Sequence, residues 1–279
     1  MTKNKSPLLR SIAAAPHLLW CVLFILAPMA FVAYYAFTDK DGAFTLDNIN
    51  SVFSSAYLKI LERSVLFALA ATVICLLIAY PLAMAITKMK SRNQSTAIML
   101  LMLPMWINLL IRTYSLKLLL ESNGIINSLI TRLGGEPIRF LDSEFSIILG
   151  MVYNFLPYMV LPIYSVLVKI DKRLIEAAQD LGCNSLKVLW KVTLPLSISG
   201  VISGITMVFV PSISTFFISK SLSDGRIKLI GDIIEYQIGM HNVAAYNIGA
   251  ALSFVLMALI VVSLIITNKF GDEDGGVLV

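Results

Sequence analysis

Six intervals of this 279-residue chain contain no charged residue: 11–38, 64–87, 93–111, 145–168, 192–219 and 236–268. Each is long enough for a helix to cross a hydrocarbon core of roughly 30 Å, which takes about 20 residues. All are rich in Leu, Ile, Val, Ala, Phe and Met, and none alternates with the period of two that a membrane barrel strand would show. Only 14% of the residues are charged and the mean hydropathy is +0.83, whereas a soluble domain is about a quarter charged. A soluble fold is excluded, and an all-α membrane protein of six transmembrane helices is the expectation.

The first interval follows Lys3, Lys5 and Arg10, as a secretory signal would. However, its apolar run from His17 to Phe37 exceeds the usual core of about 7–15 residues, and no small-x-small cleavage site follows. It reads as a retained helix that Pro28 kinks without ending. Pro157 and Pro162 in the fourth interval and Pro211 in the fifth are candidate bends. Gly200 and Gly204 form a small-xxx-small pair, the spacing that lets membrane helices approach closely.

Chemistry-bearing patterns are scarce. Cys21, Cys75 and Cys183 have no metal-ligand spacing and make no disulfide framework. His17 and His241 stand far apart, and neither is expected to be a ligand. With no phosphate-binding loop, zinc-protease or nucleophile-elbow pattern, neither a catalytic residue nor a metal site is expected, and no nucleic-acid partner. Secondary carriers place ionisable groups near the membrane midplane to couple to protons or sodium, and the intervals carry no Asp, Glu, Lys or Arg there, which argues against a secondary carrier.

With six spans both termini face one side. Placing them in the cytoplasm gives inner segments 1–16, 88–96, 169–195 and 268–279, which hold 12 of the 22 Lys and Arg residues. The density in the short segment KMKSRNQST supports that orientation, since short loops weigh most in the positive-inside rule. The outer regions are then about 38–63, 114–144 and 219–245. Residues 114–133 read as an amphipathic surface helix broken near Asn123 and Gly124. The outer acids Glu121, Asp142, Glu144, Asp224 and Asp232 either attract a cation or are simply solvated. Arg112, at the outer end of the third span, is expected to snorkel to the interface or pair with an outer carboxylate.

The polar segment 169–195 carries the most local information. Asp171 suits the N-cap of a short helix, Lys172 to Leu181, and Gly182 suits its C′ position. Asn184 or Ser185 then caps a second short helix, which Pro195 is expected to end. Glu176 and Asp180, four residues apart, share a face, and Ala177 and Ala178 keep the first helix narrow.

Glu176-Ala177-Ala178, Gly182 and Leu194-Pro195, in that order between two membrane spans, resemble the EAA loop of ATP-binding cassette (ABC) importer permeases. The resemblance implies the type I importer permease fold, with 17–267 as the transmembrane domain between a cytoplasmic N-terminal segment, 1–16, and a cytoplasmic tail, 268–279. It also implies that 169–195 receives force from an ATPase through Glu176, Ala177, Ala178, Asp180, Gly182 and Pro195. Beyond that loop, Pro104-x-Trp106, Asn108 and Ile111-Arg112-x-Tyr114 are similar to the end of the third span in spermidine/putrescine permeases of the PotB type. Leu161-Pro162-Ile163-Tyr164-Ser165 and the run 171–182 are similar to them as well. Related opine permeases share Arg-Thr-Tyr but continue Ala-Trp, where this chain has Ser115-Leu116-Lys117.

That family implies a polyamine cargo, with another small cation, an opine or an iron complex as the alternative. Its members pair with a second homologous permease subunit, two ATPase subunits that hold the ATP and magnesium, and an extracytoplasmic substrate-binding protein. This chain itself would bind no cofactor and would sit, multi-pass, in the bacterial plasma membrane. Spermidine calls for carboxylates and aromatic faces. The spans have no acid, so Trp106, Asn108, Tyr114, Tyr153, Asn154 and Tyr158 are the candidate lining of a path, against the reading of an interfacial aromatic belt.

Overall fold

The computed structural model describes residues 15–240 and 242–272, and the remaining positions, His241 among them, lie outside it. The described residues form helices α1 (Ala15–Ala36), α2 (Asp47–Val52), α3 (Ser55–Thr87), α4 (Ser91–Trp106), α5 (Leu109–Leu120), α6 (Ile125–Arg132) and α7 (Glu144–Leu167). They continue as α8 (Lys172–Asp180), α9 (Ser185–Leu196), α10 (Ile198–Ile213), α11 (Phe217–Ser223), α12 (Ile230–Gly239) and α13 (Val243–Asp272).

Of these, α1, α3, α7 and α13 are long and apolar enough to cross a membrane. The count reaches six if the bent pairs α4 with α5–α6 and α9 with α10 each make one span. The third and fifth apolar intervals are therefore not straight helices. The third breaks at Ile107 and Asn108, where the backbone turns extended and the direction changes by 92°. Asn108 causes the restart: its side chain accepts from the Leu110 amide at 2.8 Å and caps α5. The fifth breaks at Ser197, with a bend of 69°. The helix expected over 114–133 begins earlier, at Leu109, and its expected interruption falls at 121–124.

The proline expectations are met differently from one helix to the next. Helix α7 continues as one helix through Pro157 and Pro162, as does α10 through Pro211. Helices α1 and α9 each contain a π-turn just before a proline, Val22–Leu26 before Pro28 and Leu189–Thr193 before Pro195. A proline ring collides with the carbonyl four residues back and has no N–H to offer it. The wider turn displaces that carbonyl, so the helix survives: the Ala27 amide bonds Val22 O and the Leu194 amide bonds Leu189 O, five residues back in both cases. The helix runs to Leu196, one residue past Pro195, so it ends about where expected.

The chain divides into two units, one of residues up to 58 with 234–258, the other of 59–233 with 259 onward. In the first, Tyr35 meets Tyr246 edge-on at 4.9 Å and Phe37 meets Phe254 at 5.2 Å. Buried Asn247 donates to Thr38 O at 2.8 Å, the same carbonyl that Asn48 caps at 2.8 Å.

The second unit is built around α7, the most buried of the long helices. Its residues Ile147, Met151, Met159, Val160 and Ile163 are fully buried against Val201 and Val208 of α10, Ile218 and Leu222 of α11 and a stripe on α3. The stripe is Ala71, Cys75, Ala79 and Ala83, small side chains recurring at helical spacing and completely covered. Lipid is as apolar as leucine, so helices associate there through close packing rather than through exclusion of water. The glycine pair shows this directly. A Cβ on Gly200 would lie 2.8 Å from Pro162 O and 3.2 Å from Ile163 Cα, while one on Gly204 would meet the flexible Met159 Sδ at 2.6 Å.

Gly200→Ala is expected to lower thermal stability in detergent by about 1–3 kcal/mol, the usual cost of overpacking. Gly204→Ala should cost less, because a thioether moves more easily than a backbone carbonyl. Equal melting temperatures for both variants and the parent chain would contradict the assigned contact.

Candidate coupling loop and translocation path

The segment between α7 and α10 forms helix, turn, helix through local signals. Asp171 caps α8, its carboxylate accepting from the Arg173 amide at 3.0 Å. Gly182 follows with φ of +81°, and the helix end closes by two bonds, Cys183 N–H to Ala178 O at 3.1 Å and Gly182 N–H to Gln179 O at 2.8 Å. This is the paired 6→1 and 5→2 closure that requires a left-handed residue. Asn184, rather than Ser185, caps α9 and accepts from the Lys187 amide at 2.9 Å.

The loop's side chains divide into two sets. Glu176, Ala177 and Asp180 are exposed, Ala178 is half-buried, and Glu176 makes no hydrogen bond or ion pair among the described residues. Glu176 borders a groove of about 570 Å³ with Met84, Thr87, Lys88, Leu167 and Ile175. On the surface stand Leu181, Leu186 and Trp190, at 86%, 64% and 63% exposure. Sequence reasoning passed over these three. Their signal was present, as large apolar residues in an otherwise polar segment, and exposed apolar patches of that kind mark contact sites.

The loop's roots are held by side chains that sequence reasoning also missed. Gln94 donates to Thr87 O and Met89 O, both at 2.9 Å, and accepts from the Tyr164 hydroxyl at 3.2 Å. It thus ties the α3–α4 turn to the end of α7. The Tyr80 and Ser197 hydroxyls lie 2.9 Å apart. Hydroxyls buried in apolar helices announce no partner in sequence.

The candidate path residues are not one set. Trp106 and Asn108 are exposed at the break after α4, Tyr114 is exposed and packs edge-on against Phe217 at 5.6 Å, and Tyr153 is exposed. Tyr158 is half-buried, its ring 6.3 Å from Phe155. Asn154 is completely buried, and its amide donates to Gly150 O at 2.9 Å and to the Thr113 hydroxyl at 3.3 Å. It stands inside the α5–α7 packing rather than on an exposed face.

Arg112 departs from expectation. It is 6% exposed and pairs with no acid among the described residues, and its Nε and Nη1 are buried without a hydrogen-bond partner. The cause is its register on α5, where Arg112, Thr113, Leu116, Lys117 and Leu120 make up the covered face. Three of the outer acids are also engaged. Asp142 pairs with Arg139 at 2.7 Å and Arg226 at 3.1 Å, and Asp232 accepts from the Ser219 hydroxyl at 2.7 Å. Asp224 accepts from Lys117 at 2.8 Å, and that ammonium holds the Asp224 carboxyl below its ordinary value. Because the folded value is the lower one, this stabilisation is present above the ordinary carboxylate pKa of about 3.9 and is lost as pH falls through the depressed value. Among the described residues no three His, Cys, Asp or Glu side chains gather at a metal-binding distance.

With this geometry described, comparison with known proteins places the chain. Residues 12–270 match the family model described as "Binding-protein-dependent transport system inner membrane component". The chain belongs to that family. This permease is 34% identical to the spermidine/putrescine transport system permease protein PotB of Haemophilus influenzae, over 90% of its own length and 91% of the relative's. It is 36% identical to the Escherichia coli PotB, covering 85% and 88%. It is 27% identical to the E. coli inner membrane ABC transporter permease protein YdcU, covering 83% and 78%.

Among solved structures, a chain of a bacterial ABC transporter involved in import of the acidic polysaccharide alginate superposes with a TM-score of 0.76 at 18% identity, covering 95% of both chains. The same transporter in complex with an alginate pentasaccharide-bound periplasmic protein gives 0.73 at 17%, covering 94% and 93%. The fold is that of a type I ABC importer permease, and the protein is a multi-pass inner-membrane transport subunit, not an enzyme.

Gly182 has open space where a Cβ would stand, so replacing it strains only the backbone, by roughly 1–2 kcal/mol for the left-handed conformation. Gly182→Val is expected to abolish uptake by the reconstituted importer while leaving the protein in the membrane, whereas Gly182→Asn, which tolerates that conformation, should retain it. Wild-type uptake by the valine variant would remove the loop from the mechanism.

Proposed function

We propose that this ABC importer permease forms half of a polyamine path, for spermidine and putrescine, and that residues 169–195 dock on the partner ATPase. The observation that carries the cargo reading is the 34–36% identity to spermidine/putrescine permeases along most of the chain. The fold does not choose the cargo, since a permease that shares it serves the import of an acidic polysaccharide. The coupling role rests on the loop's geometry: a capped two-helix projection with Glu176 exposed and, among the described residues, unengaged, and with Leu181, Leu186 and Trp190 on its surface. In this reading Glu176, Ala177, Ala178, Asp180 and Gly182 form the projection, and Pro195 lies in the helix that roots it.

The path is assigned to the break after α4. Non-helical backbone at membrane depth is tolerated only against protein or water, and Ile107 and Asn108 are both non-helical and exposed. Trp106 and Asn108 stand at that break, Tyr114 on α5 and Tyr153 and Tyr158 on α7 supply further ring faces, and Asn154 is buried in the α5–α7 packing. No formal negative charge is present to hold a polycation tightly, so selection falls to an extracytoplasmic binding protein. A second, homologous permease completes the path. Two ATPase subunits, which bind ATP and magnesium, close beneath a cytoplasmic loop, and both termini lie on that side.

The test is ATP-dependent uptake of labelled spermidine and putrescine in proteoliposomes holding the whole importer, with Glu176→Lys beside the parent. Uptake by the parent, lost at least tenfold in the variant, is the expected outcome. No uptake of either polyamine by a complex that hydrolyses ATP would move the cargo to an opine, an iron complex or another small cation. Undiminished uptake by Glu176→Lys would overturn the docking assignment.

A further inference from the structure

The loop 169–195 meets the membrane helices at two roots, the end of α7 at Leu167 and the break at Ser197. A displacement of the loop reaches the rest of the unit through whatever is bonded at those roots. At Ser197 the helix is interrupted by a single residue and bends by 69°. Ser197 is completely buried, and its hydroxyl donates to Leu194 O at 3.2 Å, inside α9. The Tyr80 hydroxyl lies 2.9 Å from that of Ser197, and either oxygen can be the donor. The contact joins residues 117 apart in the chain.

Tyr80 is placed where α3 is itself weakened. Pro81 follows it within the helix and supplies no N–H to the Leu77 carbonyl. A continuous helix that lacks one backbone bond at Pro81 is thus bonded to the break between α9 and α10. The second root has its own tie, from Tyr164 to Gln94 and on to Thr87 O and Met89 O at the end of α3. Both ties lead to α3. They differ in kind: the Gln94 tie holds a surface turn, whereas the Tyr80 tie reaches the helix interior two turns earlier.

We propose that the Tyr80–Ser197 hydroxyl contact is the positioning element that passes movement of the loop into α3, so that ATP hydrolysis by the partner is converted into transport. Tyr80 and Ser197 are positioning residues and touch no cargo. The inference rests on the reading of 169–195 as the ATPase contact. It predicts uncoupling rather than inactivation, because removing one hydroxyl leaves the loop's docking surface intact.

The experiment measures polyamine imported per ATP hydrolysed in the reconstituted importer carrying Tyr80→Phe, Ser197→Ala or both. Each single variant deletes one oxygen atom, and thermal melting in detergent checks that folding is kept. Each should lower the ratio about fivefold, the factor set by one lost hydrogen bond, with ATP hydrolysis near that of the parent. The double variant should be no worse than Ser197→Ala, which already removes the contact with Tyr80 together with the Ser197 bond to Leu194 O, so that Tyr80→Phe has nothing further to delete. An unchanged ratio, losses that multiply in the double variant, or uptake and hydrolysis falling together would overturn the proposal. Glu176→Lys, run in parallel, separates the two readings: parental uptake by that variant fails the docking assignment, whatever Tyr80 does.

Discussion

The backbone of α10 runs against the backbone of α7 at Gly200, and the rest of the second unit depends on that contact. A methyl group there would sit within 2.8 Å of the Pro162 carbonyl, so nothing larger than hydrogen lets the two helices close. Because these helices carry the two roots of the loop, their separation sets the gap that 169–195 has to bridge. The α7 side chains that become fully buried, Met159 and Ile163 among them, gain only about 0.1–0.2 kcal/mol per atom pair. In lipid, however, such contacts are the main attraction available, since there is no water to exclude.

Features encoded within one or two turns were legible in the sequence. Asp171, Gly182 and Asn184 each do what their residue type favours next to their immediate neighbours, and all three stand where the spacing put them. The apolar intervals were legible for the same reason, as a property of composition over about 20 residues. The breaks were not, since hydropathy averages over them: Ile107 and Ser197 are apolar or small and leave no gap in the pattern. Asn108 did carry a signal, a capping residue ahead of an apolar run, but inside a membrane segment it reads equally well as a pore-lining amide. Arg112 was misjudged because its burial depends on which face of α5 meets α7 and α11, a tertiary fact that spacing alone does not reveal.

The distribution of charge fits the proposed reading of a conduit that leaves selection to another subunit. The apolar intervals contain no acid, and among the outer acids Asp142, Asp224 and Asp232 are committed to partners in their own chain. Such acids hold the 139–142 and 222–232 segments in place. Along the proposed path, the exposed rings and amide would offer a cation weak contacts of about 0.5–1 kcal/mol each where water reaches, which suits passage better than retention.

The two π-turns have a consequence for how the chain keeps its angular phase. Each adds one residue to a helix without adding a turn, so every side chain beyond it is rotated by about 100° relative to an uninterrupted α-helix. At Leu189–Thr193 this slip lies between the projecting loop and the membrane helix, like a one-tooth offset between two gears on a shaft. The slip and the break at Ser197 together offset the direction in which Leu186 faces from that in which Gly200 faces. Surface recognition and helix packing read the same stretch of chain in different phases, and each keeps its own pattern of residues.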